Sequence, residues 1–479
     1  MDTSRRVFKN TLFLYTAEII YIAFGFIQTI VIARKLGSFT FGQYSFATSI
    51  LAIFMVFADL GIITYFIKEG SRKQKNISKL LGLTFFTKFI LSLLTVCAII
   101  LYSFKAIPDF ETQRITLILS LSILIGVIPA VIAALFRTME KMKYEAIIKI
   151  ITSVISSSTI IIAIYSGFKL QAIAIILLAM ALIPAVLFTF IWRKKYRIMP
   201  SFHFTFITVW KFLKAEFPFF VLVVMNTICF RINIVMIAYI KDTTSVGMYN
   251  AAFKLMEGLL FVPWIFSGVI LPVISKKLAT ESQQIKQSML LTFKFLIIIA
   301  LPIAVGITLF SGTIISIVYG EAYAAAIPVL RILGPLFFVL SLTSVTSTLI
   351  NASPKPQINT YIGIMMLTVN VCLAYTLLKS FNIWVGAIST LVVESLALII
   401  GSIYIYQKII SVNYTPYLFK PAIATGGMAL LIIFTEKLFL LPIYIIFYFL
   451  ILLIIKGVSK QDILFLKKLV FIKGNWHAK

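Results

Sequence analysis

Long runs of apolar residues occupy almost the whole chain, and only short polar connections separate them. About fourteen of these runs approach the ~20 residues that a helix needs to cross a bilayer. Backbone amides in hydrocarbon must find their hydrogen bonds within their own segment, so each run is predicted to be a helix. The predicted fold class is therefore an all-α integral membrane protein with about 14 transmembrane helices. The predicted spans are 11–32, 40–67, 80–104, 115–136, 144–166, 170–192, 210–240, 246–274, 287–310, 324–350, 357–378, 383–406, 417–434 and 438–455.

An internal repeat divides these spans into two lobes. The string FGQY at 41–44 opens the second span, and VGMY at 246–249 opens the eighth. Lys88 and Lys294 then occupy equivalent places in the third and ninth spans. Six helices per repeat is an even number, so the two lobes share one orientation and are related by a pseudo-two-fold axis along the membrane normal. The predicted units are an N-lobe at 1–197, a C-lobe at 198–411, two additional helices at 412–456 and a basic tail at 457–479.

Composition and charge fix the environment and the sidedness. Hydrophobic residues make up 61% of the chain and charged residues 12%, which excludes an ordinary water-soluble domain. The net charge of +27 would suggest nucleic acid in a soluble protein, but the basic residues fall mostly in loops on one side of the predicted membrane. Cytoplasmic loops carry such an excess, so we expect a multi-pass protein of the cell (cytoplasmic or inner) membrane with both termini cytoplasmic. Membrane lipids are the expected partners of the basic tail, and nucleic acid is not an expected partner.

Cysteine and histidine usage predicts no cofactor and no metal site. Cys97, Cys229 and Cys372 lie in separate apolar runs, and the chain contains only two histidines, His203 and His477. This spacing matches neither a disulfide framework nor a set of metal ligands.

Ionisable residues inside the spans are the candidates for function. Each costs about 2.5 to 3.5 kcal/mol at the centre of a membrane helix, so most are expected to face a wet cavity or a partner. Helical spacing places Glu18, Tyr21 and Gln28 on one face of the first span, and Asn250, Lys254 and Glu257 on one face of the eighth. The candidate cavity cations are Arg231, Lys254, Lys88 and Lys294. The candidate polar and ion-coupling groups of the cavity are Glu18, Asp59, Glu257, Glu394, Gln28, Tyr44, Asn226 and Asn250.

Each of these assignments has a structural alternative. Lys88, Lys149 and Lys294 are long enough to reach the headgroup region from within their helices. Lys254 and Glu257 are spaced to form a purely structural ion pair. The carboxylates in the spans serve equally well as ion-coupling groups or as counterions.

Several strings, taken in order, resemble a known group of proteins. They are ARKLGSFTFGQYSFATS at 33–49, DLG at 59–61, VGMYNAAFKL at 246–255, LPVISKKL at 271–278, YGEAYAAAIPVLRIL at 319–333 and INASPKPQ at 350–357. Together they are similar to the polysaccharide-transporter branch of the multidrug/oligosaccharidyl-lipid/polysaccharide exporter superfamily, which includes O-antigen flippases.

The resemblance implies two six-helix lobes around a central cavity and two additional C-terminal helices. It also implies a transporter, and not an enzyme, that moves polyprenyl-diphosphate-linked oligosaccharides to the outer leaflet by alternating access for surface polysaccharide assembly. The lipid-linked saccharide is then the substrate, and polysaccharide assembly proteins are possible partners. The four candidate cations would hold the diphosphate.

Two other functions remain open from the sequence. A cation-coupled drug or metabolite antiporter of the same superfamily shares the architecture, although such proteins usually have twelve spans. A membrane-embedded saccharide polymerase would need catalytic acids, and the only paired acids in the predicted outer loops are Asp109 and Glu111.

Overall fold

The structure, a computed structural model, describes residues 3–72, 76–196, 198–202, 206–267, 282–411, 414 and 416–458. Every regular element within these residues is helical. The α-helices are α1 (Thr3–Met55), α2 (Ile62–Arg72), α3 (Ile77–Ala106), α4 (Phe110–Ile125), α5 (Val127–Thr138), α6 (Met142–Tyr165), α7 (Leu170–Met180), α8 (Leu182–Lys195), α9 (Phe206–Ile240), α10 (Thr243–Glu257), α11 (Ser282–Leu309), α12 (Ser311–Val318), α13 (Ile327–Ala352), α14 (Gln357–Ser380), α15 (Val385–Lys408), α16 (Pro416–Thr435) and α17 (Leu441–Ile454). Two 3-10 helices cover Glu321–Ala326 and Leu438–Leu440.

Eleven helices within the described residues are long and apolar enough to cross a membrane. The prediction of an all-α, multi-pass membrane fold is therefore confirmed. The count of about fourteen stays a prediction, for three local reasons. The range of α1 contains a kink at Gly37, whose φ of 81° is not helical, so this one element includes parts of two predicted spans. The predicted span 246–274 continues past the described residues, and the last apolar helix, Leu438–Ile454, is short.

Two prolines explain why two predicted spans are each split into a pair of helices. Pro129 follows the end of α4 by one helical turn, and Pro184 follows the end of α7 by the same interval. A proline ring clashes with the carbonyl one turn earlier and offers no amide hydrogen, so the regular ladder stops there. The span at 115–136 thus becomes α4 and α5, and the span at 170–192 becomes α7 and α8.

Pro302 and Pro335 are among the prolines that lie inside continuous helices, and at Pro302 a hydroxyl group from another helix replaces the lost hydrogen bond. Pro302 in α11 leaves the carbonyl of Ile298 without its usual donor, and the Tyr448 hydroxyl of α17 donates to that carbonyl at 2.8 Å. Pro335 in α13 does the same to the carbonyl of Arg331, which lies 3.2 Å from the Thr308 hydroxyl, although that hydroxyl is closer to the carbonyl of Ala304, at 2.9 Å. Such replacement is what allows proline inside a membrane helix.

The chain forms two compact units, Met1–Asn250 and Ala251–Lys479. In the first, α1 packs along α6 and also contacts α4 and α9. In the second, α13 packs against α11 and α15, and α16 packs against α11 and α17. The predicted lobe boundary at 197/198 remains a prediction, and the predicted tail lies outside the described residues from 459 onwards.

Within the unit Met1–Asn250, the two repeated strings, FGQY at 41–44 and VGMY at 246–249, pack against each other. A Cβ atom added to Gly42 would overlap the carbonyl of Thr243, and one added to Gly247 would overlap the carbonyl of Ser38. Each hypothetical Cβ would also lie 3.1 Å from the amide nitrogen of the other glycine. Reciprocal contacts of this kind are characteristic of a local two-fold relation between the segments.

A side-chain hydrogen bond joins the same two segments. The Asn250 amide donates to the Ser45 hydroxyl at 2.7 Å, across a sequence separation of 205. Gly42 and Gly247 have the same separation, so the hydrogen bond joins equivalent positions of the two repeated strings.

The outer surface of the bundle carries large apolar side chains. Phe434 is 84% exposed, Ile454 77% and Leu101 72%. An exposed apolar surface of this extent is unfavourable in water and fits contact with lipid acyl chains.

Candidate transport site

In the first unit, the polar stripe of α1 faces α6. The Glu18 carboxylate forms an ion pair with Lys149, whose ammonium also lies 4.6 Å from the ring centroid of Tyr21. Further along the stripe, the Ser157 hydroxyl donates to the Gln28 side chain at 3.2 Å. The ion pair is partly exposed, with 48% of the Glu18 side chain and 30% of the Lys149 side chain accessible, whereas Gln28 is buried.

Lys149 is the site residue that the sequence candidates do not include, because its place near the cytoplasmic end of its helix fits contact with the headgroups equally well. Lys149, Ser153 and Ser157 recur on α6 at intervals of one turn, and this spacing was the available signal. Two polar stripes of matching length predict a pair of helices that face each other.

Lys88 and Asp59 form a second ion pair in the first unit. Lys88 on α3 is buried, and its ammonium lies 2.5 Å from the Asp59 carboxylate and 3.4 Å from the carbonyl of Ala58. Asp59 lies in a turn between α1 and α2, in which Leu60 and Gly61 both have positive φ. The DLG string is therefore a break between helices that places a carboxylate beside a buried cation, as a buried charge requires.

Lys254 and Glu257 pair within the last turn of α10. Their charged atoms are 2.6 Å apart, and 29% of each side chain is accessible. The ion pair that the spacing of these two residues allows is therefore formed. The partial exposure leaves the Lys254 ammonium able to meet a solvated ligand.

The other two candidate cations lie in different surroundings. Arg231 is half-buried on α9. Lys294 on α11 is half-buried, with its ammonium 5.8 Å from the ring centroid of Tyr417. Lys88 and Lys294 hold equivalent places in the repeat, yet they face different partners.

The remaining candidates differ in how deeply their side chains are buried. Tyr44 is half-buried, and Asn250 is buried in the contact with Ser45 described above. The side chain of Asn226 lies outside the described residues. Glu394 is buried in the second unit beside Thr343.

Asp109, at the start of α4 and outside the membrane spans, is held in place by several donors. Its carboxylate accepts the Thr112 amide at 2.9 Å and the Gln43 side-chain amide at 2.8 Å. Burial opposes ionisation of this carboxyl, but the hydrogen bonds from Thr112 and Gln43 outweigh it and lower the pKa of Asp109. Asp109 therefore caps α4 and ties it to α1, which is a structural task and not that of a catalytic acid.

Comparison with known proteins identifies the family. The sequence model described as "Polysaccharide biosynthesis protein" matches residues 7–278, and the model described as MatE matches residues 218–376. An "Uncharacterized membrane protein in cps region" of Klebsiella pneumoniae is 21% identical over 454 residues, which are 90% of each chain. The "Teichuronic acid biosynthesis protein TuaB" of Bacillus subtilis (strain 168) is 22% identical over 62% of this chain and 60% of its own length.

Among solved structures, the fold is similar to that titled "Lipid II flippase MurJ, inward closed conformation". The TM-score is 0.74 at 19% identity, over 95% of this chain and 100% of the other. The first family model covers more than half of the chain. The chain therefore belongs to the polysaccharide biosynthesis protein family.

Proposed function

We propose that the protein is a flippase that moves polyprenyl-diphosphate-linked oligosaccharide units from the inner to the outer leaflet for surface polysaccharide assembly. The observation that carries this proposal is the family match over residues 7–278. The fold similarity to a lipid II flippase and the teichuronic acid relative agree with it. The protein acts as a transporter in the cytoplasmic membrane, with both termini in the cytoplasm.

The proposed mechanism is alternating access. The glycan head passes through a hydrated path in the protein, while the polyprenyl tail stays in the bilayer. Cations at depth are needed for the diphosphate, and Arg231 suits it because a guanidinium can bind phosphate oxygens in pairs. Lys254 joins it by exchanging part of its contact with Glu257 for the diphosphate.

Lys88 and Lys294 contribute less directly in this proposal. Lys88 already has the Asp59 carboxylate at 2.5 Å, so binding a phosphate there requires that pair to open. Lys294 has an aromatic neighbour, Tyr417, whose ring centroid lies 5.8 Å from its ammonium.

A reconstitution experiment tests the activity. The purified protein is placed in liposomes that contain a polyprenyl-diphosphate saccharide with a fluorophore on the sugar, and a membrane-impermeant quencher is added outside. We expect the quenched fraction to rise from about half towards completion when active protein is present. Quenching that stays at the level of protein-free liposomes contradicts the proposal.

Charge variants test the phosphate role. Arg231→Gln is expected to slow flipping at least tenfold, whereas Lys241→Gln, at an exposed lysine just beyond α9, leaves the rate unchanged. For α10, the exchange Lys254→Glu with Glu257→Lys restores the ion pair but moves the cation by about one turn. A purely structural pair predicts normal flipping in the exchanged protein, and a phosphate-binding Lys254 predicts a slow one.

The match to the MatE model favours one alternative, a cation-coupled antiporter of drugs or metabolites. The same liposomes distinguish the two functions. An antiporter takes up a small cationic dye when an ion gradient is imposed and leaves the lipid-linked saccharide untouched. A flippase moves the lipid-linked saccharide and does not take up the dye.

A further inference from the structure

The core of the second unit contains a carboxyl group that has no charged partner among the described residues. Glu394 on α15 is 7% exposed, and its Oε2 atom has no hydrogen-bond partner in the described part of the chain. An ionised carboxylate is strongly disfavoured in such surroundings unless a cation or several donors reach it.

The hydroxyl group next to this carboxyl has its own hydrogen engaged elsewhere. Thr343 on α13 lies beside Glu394. The Thr343 hydroxyl donates its own hydrogen to the carbonyl of Val339 at 3.0 Å. A hydroxyl group has a single hydrogen, so the Thr343 oxygen is left as an acceptor towards Glu394, and only a protonated carboxyl can donate to it.

A second acceptor without a donor lies at a similar depth. Asn370 on α14 is 1% exposed, and its Oδ1 atom has no hydrogen-bond partner in the described part of the chain. α14 and α15 pack against each other across a short connection, from which Asn370 is about 15 Å and Glu394 about 13 Å along their helices. A carboxylic acid can donate to an acceptor that lacks a donor, which a carboxylate cannot do.

The charged groups of the surrounding helices are remote along the helix axes. Arg331 is about 18 Å from Thr343 along α13, Lys379 about 13 Å from Asn370 along α14, and Lys408 about 21 Å from Glu394 along α15. The charged and titratable groups of the helices in this core are Lys286 and Lys294 on α11, Arg331 on α13, Tyr361, Cys372, Tyr375 and Lys379 on α14, Tyr404, Tyr406 and Lys408 on α15, and Tyr417 and Lys420 on α16. The Lys294 ammonium is directed to the Tyr417 ring.

We propose that Glu394 is a proton-binding site, which is neutral while α13, α14 and α15 are packed together. On release, the O–H bond of the carboxyl breaks, the proton passes to water, and the carboxylate that remains must be hydrated. Release therefore requires water to enter between these helices, which links the protonation state to their packing. The site itself does not depend on the cargo, whereas its use in transport rests on the function proposed above.

A chemical label tests the protonation state directly. Dicyclohexylcarbodiimide modifies protonated carboxyl groups in apolar surroundings, and mass spectrometry of the full-length protein in lipid nanodiscs locates the adduct. We expect labelling at Glu394 that falls as the pH is raised, and none at Glu257, which is ion-paired with Lys254. Sodium ions at constant pH are expected to leave the labelling unchanged.

Two outcomes overturn the proposal. Protection of Glu394 by sodium ions would make it a metal-cation ligand. If no adduct forms at any pH, the infrared carbonyl band of a protonated carboxylic acid provides the second test. The unmodified protein should show this band, and Glu394→Gln should remove it. Absence of that band in the unmodified protein excludes a neutral Glu394.

A matched pair of variants connects the site with transport. Glu394→Gln keeps the shape and hydrogen-bonding capacity of the protonated acid, so it should fold normally and abolish the pH dependence of flipping. Glu321→Gln, at an exposed glutamate of the same unit, should leave that dependence intact. Labelling and infrared spectra need no cargo, so they report on the site even if the flippase assay fails.

Discussion

A single hydrogen bond compensates for the proline inside α11. The Tyr448 hydroxyl supplies the donor that Pro302 removes from the carbonyl of Ile298. A buried carbonyl left without a donor costs about 1 to 3 kcal/mol. We therefore expect Tyr448→Phe to destabilise the protein by about that amount, measured as a lower midpoint of unfolding in detergent or nanodiscs.

The control for this prediction is a change of the proline itself. In a Pro302→Ala background, residue 302 supplies its own amide to Ile298, so Tyr448→Phe should cost much less there than in the unmodified chain. Tyr361→Phe, at a tyrosine that is 66% exposed, should be within about 0.5 kcal/mol of neutral in both. An equal cost of Tyr448→Phe in the two backgrounds would show that the hydroxyl does not compensate for the proline.

At the scale of elements, one close crossing of helices depends on two glycines. No side chain fits at Gly42 or Gly247, because a Cβ at either position would overlap the backbone of the other segment. Gly42→Ala and Gly247→Ala should each destabilise the protein by about 1 to 3 kcal/mol, the usual cost of overpacking. The measurement is again the midpoint of unfolding.

Other glycines of the same chain provide the comparison. Gly25 and Gly306 have nothing within 4 Å of an added Cβ, so alanine there should be neutral or slightly stabilising because alanine favours the helix. The double variant Gly42→Ala with Gly247→Ala should cost less than the two single changes together, since one displacement of the segments relieves both overlaps. Strict additivity would mean that the two glycines belong to separate contacts.

For the molecule as a whole, the sequence predicts where the helices lie much better than it predicts which helices contact each other. Apolar length predicts the helices, and Pro129 and Pro184 lie where two of them break. The ion pair of Lys88 with Asp59 could not be derived, because spacing along one helix says nothing about which other helix it faces. Lys254 and Glu257 could be paired from the sequence because both lie on one helix.

The distribution of basic residues predicts which loops of the chain face the cytoplasm. An impermeant maleimide reagent tests it in intact cells, with Cys97, Cys229 and Cys372 first replaced by serine. Cysteine at the exposed positions Lys105, Lys169, Lys379 and Lys437 should react from outside. Cysteine at the exposed positions Lys141 and Lys355 should react only after the cells are permeabilised, because the basic loops are expected in the cytoplasm.

These positions also test the number of spans, because each crossing reverses the side. Lys105 and Lys437 lie on the same side only if an even number of crossings separates them, as the count of about fourteen requires. Labelling of a cysteine at Lys437 only after permeabilisation would mean that one crossing between the two positions has been gained or lost. The described part of the chain points to the segment to check first, since the predicted span 246–274 is the one that it does not cover completely.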